Sequence, residues 1–570
     1  MQRALYGLSA LVLATLLAGC AGAPPTRSAP SDGEAATAGR RPSPTLVFVA
    51  RGEPNDLSEG AAVGTSSSTT YRIFNATMSL RDGQGVPRPQ LLTTLPQLNT
   101  DSWRVLPDGR METIYRLKPN LTWHDGQPFT AEDMVFGWAV AKQPELGKST
   151  DLPQALMEQV EAPDPLTLVV RWSQPYPDGD HIEGFQPLPR HSLEPAFVEL
   201  RADTWASMPF WTRDYVGMGA FKMDSWDPGA AIEATAFDGF VFGRPKIDRL
   251  RIVFMQDTNT VAANLLSGAA QLVADITIRS QTGVLLKREW EPRNGGTVSF
   301  TPAQVRYTYF QLRPEYANPR DVIDLRVRKA VAHAVDKPLL ADALHEGEGI
   351  AADALVRRSA PEFAAIDRQT TKYAYDPRQS QALLEEAGMT RVGDGMYVNA
   401  SGARFTPDWK ATAGGDTDIQ LGLLADSLRR IGVDARQTVL PRPFSNETRA
   451  TFPTMLNWST TNQPDGWLLA YQATRIAGPE NRWTGSNFGG WANPEYDRLA
   501  SAFATSLERT QRSELMIQMA TMLSEQLPIL PLYYNLDIVA HSAVLRNVQV
   551  VPDGSIGFNI HEWEMAERSS

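Results

Sequence analysis

One cysteine in 570 residues removes the disulfide from the means this chain has of holding itself together. Whatever it folds into must rest on packing and backbone hydrogen bonds. The position of that cysteine, Cys20, adds a second constraint. It follows an apolar run from Leu8 to Leu17, behind a short start containing Arg3, and the two residues before it, Ala18 and Gly19, are small. A basic start, an apolar segment of about 7–15 residues and small residues at the cut are what an export signal requires. The run is shorter than the roughly 20 apolar residues of a membrane-spanning helix. Residues 1–19 are expected to be a signal peptide. Residues 20–44 are rich in Pro, Ala, Gly and Ser and read as a flexible tether.

Composition narrows the function. Hydrophobic residues at 42% and charged residues at 21% are globular values, and 570 residues are too many for one core. The net charge of -11 argues against nucleic acid, which draws basic patches. Seven histidines and Cys20 form no zinc-type spacing, so neither metal nor cofactor is expected. After the signal, no further apolar run approaches spanning length.

The remaining pattern alternates strands with helices. Thr45–Ala50 reads as a first buried strand, with a polar loop from Arg51 to Gly60 leaving it. The stretch from Arg116 through Trp123-His124-Asp125-Gly126 to Thr130-Ala131-Glu132-Asp133 reads as strand, tight turn and N-capped helix. Val216–Met223 is a glycine-bearing turn entering a strand, 257–268 a helix, and Gln271–Ile276 a returning strand. Asp376-Pro377 and Asn493-Pro494 each cap and open a helix. Leu515, Met519 and Met522 continue the helical period until Pro528, and 529–540 is extended. An α/β protein with mixed sheets is expected.

Catalytic signatures are missing. There is no G-x-S-x-G elbow, no Walker phosphate loop and no H-E-x-x-H helix. Gly217-Met218-Gly219 lacks the third glycine of a dinucleotide fingerprint. The reading is of a protein that is not an enzyme.

Several segments carry a family resemblance. Tyr115–Phe136 (YRLKPNLTWHDGQPFTAEDMVF) is similar to the signature stretch of the extracellular solute-binding family 5 proteins, the oligopeptide, dipeptide and nickel receptors of ABC importers. Gly217–Phe221, Arg326–Asp336, Tyr375–Gly388, Trp491–Leu499 and Leu527–Tyr534 agree with that family in the same order. Leu17-Ala18-Gly19-Cys20 also resembles the lipobox of bacterial lipoproteins, in which the cysteine carries the lipid. The resemblance implies a two-lobed type II periplasmic-binding-protein fold with an extra inserted domain in lobe I. The bounds expected are 45–70, 215–300 and 528–570 for a discontinuous lobe I, 71–214 for the inserted domain and 301–527 for lobe II. It also implies a lipid-anchored monomer outside the cytoplasmic membrane, binding a peptide or small molecule and docking on an ABC permease with its ATPase subunits.

For the ligand, the resemblance points to Glu53 and Asn55 after the first strand, Met218 and Gly219 in the glycine turn, and Trp458, Thr461, Asp465 and Trp467 in the loop NWSTTNQPDGW. Each tryptophan could equally be packing. Peptide-binding members place an aspartate three residues after the tryptophan to pair with the peptide ammonium. Here Thr461 holds that position, and a buried ammonium without a carboxylate is costly. Asp465 is the nearest substitute, while nickel, opine or oligosaccharide cargo stays open. An extracytoplasmic hydrolase and a non-transporting sensor are the competing functions.

Overall fold

A computed structural model describes residues 45–58, 68–146, 153–182, 184–199, 202–274, 276–460, 466–551 and 556–566. The signal, Cys20, the tether, Thr461 and Asp465 lie outside the described residues. Among the described residues, ten strands form one sheet. In order across it they are Arg436–Leu440, Asp408–Thr412, Met455–Ser459, Gly296–Phe310, Ile529–Ser542, Leu272–Val273, Leu46–Ala50, Arg249–Phe254, Ala231–Ala236 and Phe221–Asp227.

The first strand forms where its apolar run puts it. Leu46, Phe48, Val49 and Ala50 are buried, and the strand lies parallel to Arg249–Phe254 on one side and Leu272–Val273 on the other. A strand covered on both faces needs a continuous apolar run. The neighbouring Arg249–Phe254 instead starts in alternation, Arg249 and Arg251 outward and Leu250 and Ile252 inward. The expected strand Gln271–Ile276 shrinks to Leu272–Val273. Its other edge is taken by Ile529–Ser542, which runs antiparallel to it.

Two long strands tie the molecule together. Gly296–Phe310 and Ile529–Ser542 run antiparallel along almost their whole length. Near one end, Gly296 to Pro302 pair with Ser542 to Leu536; near the other, Val305 to Tyr309 pair with Tyr534 to Ile529. The register shifts between Pro302 and Val305 and again between Arg306 and Tyr307. Proline donates no ladder bond, and an irregular register bends and twists a ribbon. On one side of this break Val298, Phe300, Ile538 and Ala540 pack with Val49, Leu286 and Trp290. On the other, Leu530, Leu532 and Tyr533 pack with Val331, Leu340, Trp409 and Leu424. These are the two lobes. A boundary at 300/301 therefore falls inside a strand, and residues 529–534, expected in lobe I, pack with lobe II.

A separate four-stranded antiparallel sheet, in the order Trp103–Val105, Met111–Arg116, Thr167–Trp172, Met157–Asp164, is inserted in the chain between the first strand and Phe221–Asp227. The helix Ala131–Ala141 begins where the sequence places it. The Asp133 carboxylate reaches back to accept the Thr130 N–H at 3.0 Å, satisfying one of the first-turn donors. Met134 of this helix enters the core of the inserted sheet, whereas Phe136 and Val140 enter the core around Leu46 and Phe48. Leu193, Trp205 and Trp211 join that second core. The insert is thus keyed into lobe I and is not a detached unit.

Candidate functional site

The glycine turn is built for close approach. A Cβ on Gly219 would stand 2.3 Å from the Ile73 carbonyl oxygen, and one on Gly217 2.1 Å from that of Phe74. The Gly219 N–H donates to the Phe74 carbonyl at 2.9 Å. From the signature stretch, His124 locks the turn: its Nδ1 accepts the Gly217 N–H at 3.2 Å and its Nε2 lies 3.1 Å from the Gly219 carbonyl. Burial pushes the imidazole down to about 4. Met218 packs into the core of the inserted sheet with Trp123 and Met134. Met218 and Gly219, expected against solute, are buried here. His124 of the signature stretch thus fixes this turn.

Glu53 is also engaged. Its carboxylate accepts the Trp226 indole N–H at 2.5 Å and the Gly229 N–H at 3.0 Å, fastening the loop after the first strand to the hairpin that ends lobe I's sheet. Asn55 is exposed on the same loop.

Across the break in the long strands, Trp458 sits opposite Tyr307. Its ring meets Phe488 edge-on at 5.4 Å, and the Arg449 guanidinium lies 5.4 Å over Trp458 and 4.4 Å over Phe488. Tyr307, Tyr309 and Tyr471 are buried in the same cluster, and burial pushes their phenols up, so they stay neutral. Trp467 is buried beside Ala520, Leu523 and Ile529. Trp467 is thus packed, while Trp458 is half packed and half open.

Thr460 is the last described residue before Thr461. It exchanges two bonds with Val305, its Oγ1 accepting the Val305 N–H at 3.0 Å and its N–H donating to the Val305 carbonyl at 3.0 Å. The last described residue before Thr461 is thus tied to the point where the long strands lose register. Among the described residues, no hydrogen bond or ring contact joins Glu53, Asn55, Met218, Trp458 and Trp467 to one another. No group of three or more metal-type ligands occurs among the described residues either.

Sequence reading missed the side chains that meet between the lobes. Ser280 and Arg279, after the short strand Leu272–Val273, meet His345 and Asp416 of lobe II. Nothing local in the sequence marks them, because each pair is brought together only by the sheet.

Two separately packed lobes on one shared pair of strands are the architecture of a two-lobed periplasmic-binding-protein fold. The model for bacterial extracellular solute-binding proteins, family 5, matches residues 93–477, and the chain belongs to that family. A protein of Brucella ovis is 27% identical over 297 residues, 51% of this chain and 51% of its own length; the match spans about half of that relative. The oligopeptide-binding protein AppA of Bacillus subtilis is 22% identical over 582 residues, 99% of both chains. Its crystal structure with a nonapeptide superposes with a TM-score of 0.70 at 19% identity, covering 92% of this chain and 100% of that one. NikA from Brucella suis, in complex with Fe(III)-EDTA, superposes with a TM-score of 0.75 at 17% identity, covering 92% and 100%. At such identities the superpositions speak for the fold.

Proposed function

We propose that this chain is a solute receptor outside the cytoplasmic membrane, which holds its cargo between the lobes and delivers it to the permease of an ABC importer. The observation that carries this reading is the continuous pair of strands with its register broken where the lobes meet. Rotation there closes two lobes on a solute without opening either core. Family membership supports binding as the role, and the chain acts as a non-enzymatic monomer whose ATPase partners supply the energy. Residues 1–19 are its signal and 20–44 its tether, with Cys20 carrying the lipid. Lobe I is built from 45–70, 215–300 and the chain from the distal half of the last long strand to 570, and holds the 71–214 insert. Lobe II is built from 301–527 and the proximal half.

Peptides are the first cargo to test, since AppA is named for oligopeptides. Glu53, Asn55 and Trp458 would face the cleft, and Asp465 is the nearest carboxylate to receive an ammonium that Thr461 cannot. The neutral Thr461 favours a second reading, a non-peptide solute such as an oligosaccharide. Native mass spectrometry of protein purified from its own host, followed by calorimetry with free and N-acetylated peptides, separates the two. A peptide receptor loses affinity on acetylation and in Asp465→Asn, and a saturating peptide at a hundredfold excess over Kd raises stability by about 2.7 kcal/mol. Absence of any peptide binding rejects the first reading.

A further inference from the structure

On one face of the long ribbon, helix Ser280–Trp290 and helix Lys337–His345 lie on opposite sides of the register break. The first packs Leu286 and Trp290 on Phe300 and Ile538, and the second packs Leu340 and Leu344 on Leu530 and Leu532. Where they approach, the Ser280 hydroxyl is 2.7 Å from His345 Nδ1. Lys287 Nζ donates to Glu348 Oε1 at 2.7 Å while lying 5.6 Å over the Phe300 ring. Arg279 stands 3.7 Å from Asp416 on the same side. The His345 ring is itself braced edge-on against Tyr533, 5.5 Å away. Glu348 sits on a corner with little play: Glu346 and Gly347 take left-handed angles, and a Cβ on Gly349 would stand 2.2 Å from the Ala341 carbonyl.

We infer that Ser280–His345 and Lys287–Glu348 form a latch across the hinge, which must open before the lobes can change their mutual angle. Each pair takes one partner from either side of the break, so a rotation about Pro302–Tyr307 that carries the two helices apart stretches both. The latch sets how often the empty protein samples other lobe angles, whatever its cargo. It is separate from the cleft residues, because it holds the ribbon and touches neither the loop after the first strand nor Trp458.

The test needs no ligand. Small-angle scattering and amide hydrogen exchange are run on the purified wild type, on Ser280→Ala/Lys287→Glu and on Ser280→Ala/Lys287→Met. The latch predicts a larger radius of gyration in both variants and exchange about tenfold faster from Thr301 to Tyr307, the change expected when a charge-assisted bond is lost. Lys287→Glu alone should move both readouts the same way, and the swap Lys287→Glu/Glu348→Lys should return them to wild type. Unchanged scattering and exchange in the two Ser280→Ala variants overturns the latch, and so does a swap that fails to restore them.

Discussion

His124 and Gly219 are joined through an imidazole that can serve only in its neutral form. Nδ1 is already used as an acceptor by the Gly217 N–H, so the proton sits on Nε2, which donates to the Gly219 carbonyl. A second proton would take away the acceptor and place a charge in a buried site.

The consequence is a pH slope in stability. The native pKa of about 4 lies below the value of about 6.5 for an unfolded histidine, so the unfolded chain takes the proton first. The stability His124 contributes is whole above pH 6.5, falls as pH drops, and is gone below about 4. The loss is roughly 3 kcal/mol. Urea melts of wild type and His124→Asn between pH 4 and 7 measure it, and the variant should show a shallower slope.

Two glycine substitutions should move in opposite directions. Gly219→Ala drives a methyl into the main chain of Ile73 and Phe74, which has no room to yield, and should cost about 3 kcal/mol or more or block folding. Gly422 lies within the helix Thr417–Arg430, and a Cβ there meets nothing nearer than Gln437 Oε1 at 3.9 Å. Gly422→Ala should stabilise by about 0.5–1 kcal/mol. Thermal melts of the two variants decide both points.

The buried cation Lys337 predicts an asymmetry. Its Nζ donates to Asp353 Oδ1 at 2.8 Å and to the Ala352 carbonyl at 3.2 Å, and burial pulls its pKa down. Asp353→Ala strands a desolvated ammonium and should cost about 3–5 kcal/mol. Lys337→Met fills the same space without a charge and leaves a carboxylate that reaches water, so its cost should be clearly smaller. Equal losses in denaturant unfolding would show that the pair matters only through packing.

Replacing Cys20 tests the anchor. Cys20→Ser should leave the melting temperature of the body unchanged and move the protein from the membrane fraction to the soluble one. Retention on membranes through a carbonate wash would reject lipid attachment at this position.

Local features were legible in the sequence because their causes are local. Asp257 accepts the Thr260 N–H at 2.8 Å, and Asn493 accepts that of Glu495 at 2.9 Å, as their caps imply. The apolar faces of Leu421, Leu424 and Leu428, and of Tyr496, Leu499 and Phe503, are buried. The site was legible only as segments. Glu53 is bound to Trp226, 173 residues away, and Met218 is covered by a helix of the insert. Gly296–Phe310 was missed as a strand although Thr297–Thr301 and Val305–Tyr309 each alternate, because the alternation changes phase across Pro302–Gln304, where the register shifts. Partners contributed by distant elements leave no local trace.

The place of Ile529–Ser542 in the sheet bears on when the chain can fold. Lobe I needs Ile538 and Ala540, lobe II needs Leu530 and Leu532, and Leu46–Ala50 reaches its neighbours only through Leu272–Val273 and Arg249–Phe254. Neither core can be completed until the last long strand has been synthesised. Contacts of such sequence separation make folding slow. During translation each lobe therefore waits for one wall of its core, whereas the inserted sheet, whose four strands all lie between Trp103 and Trp172, does not.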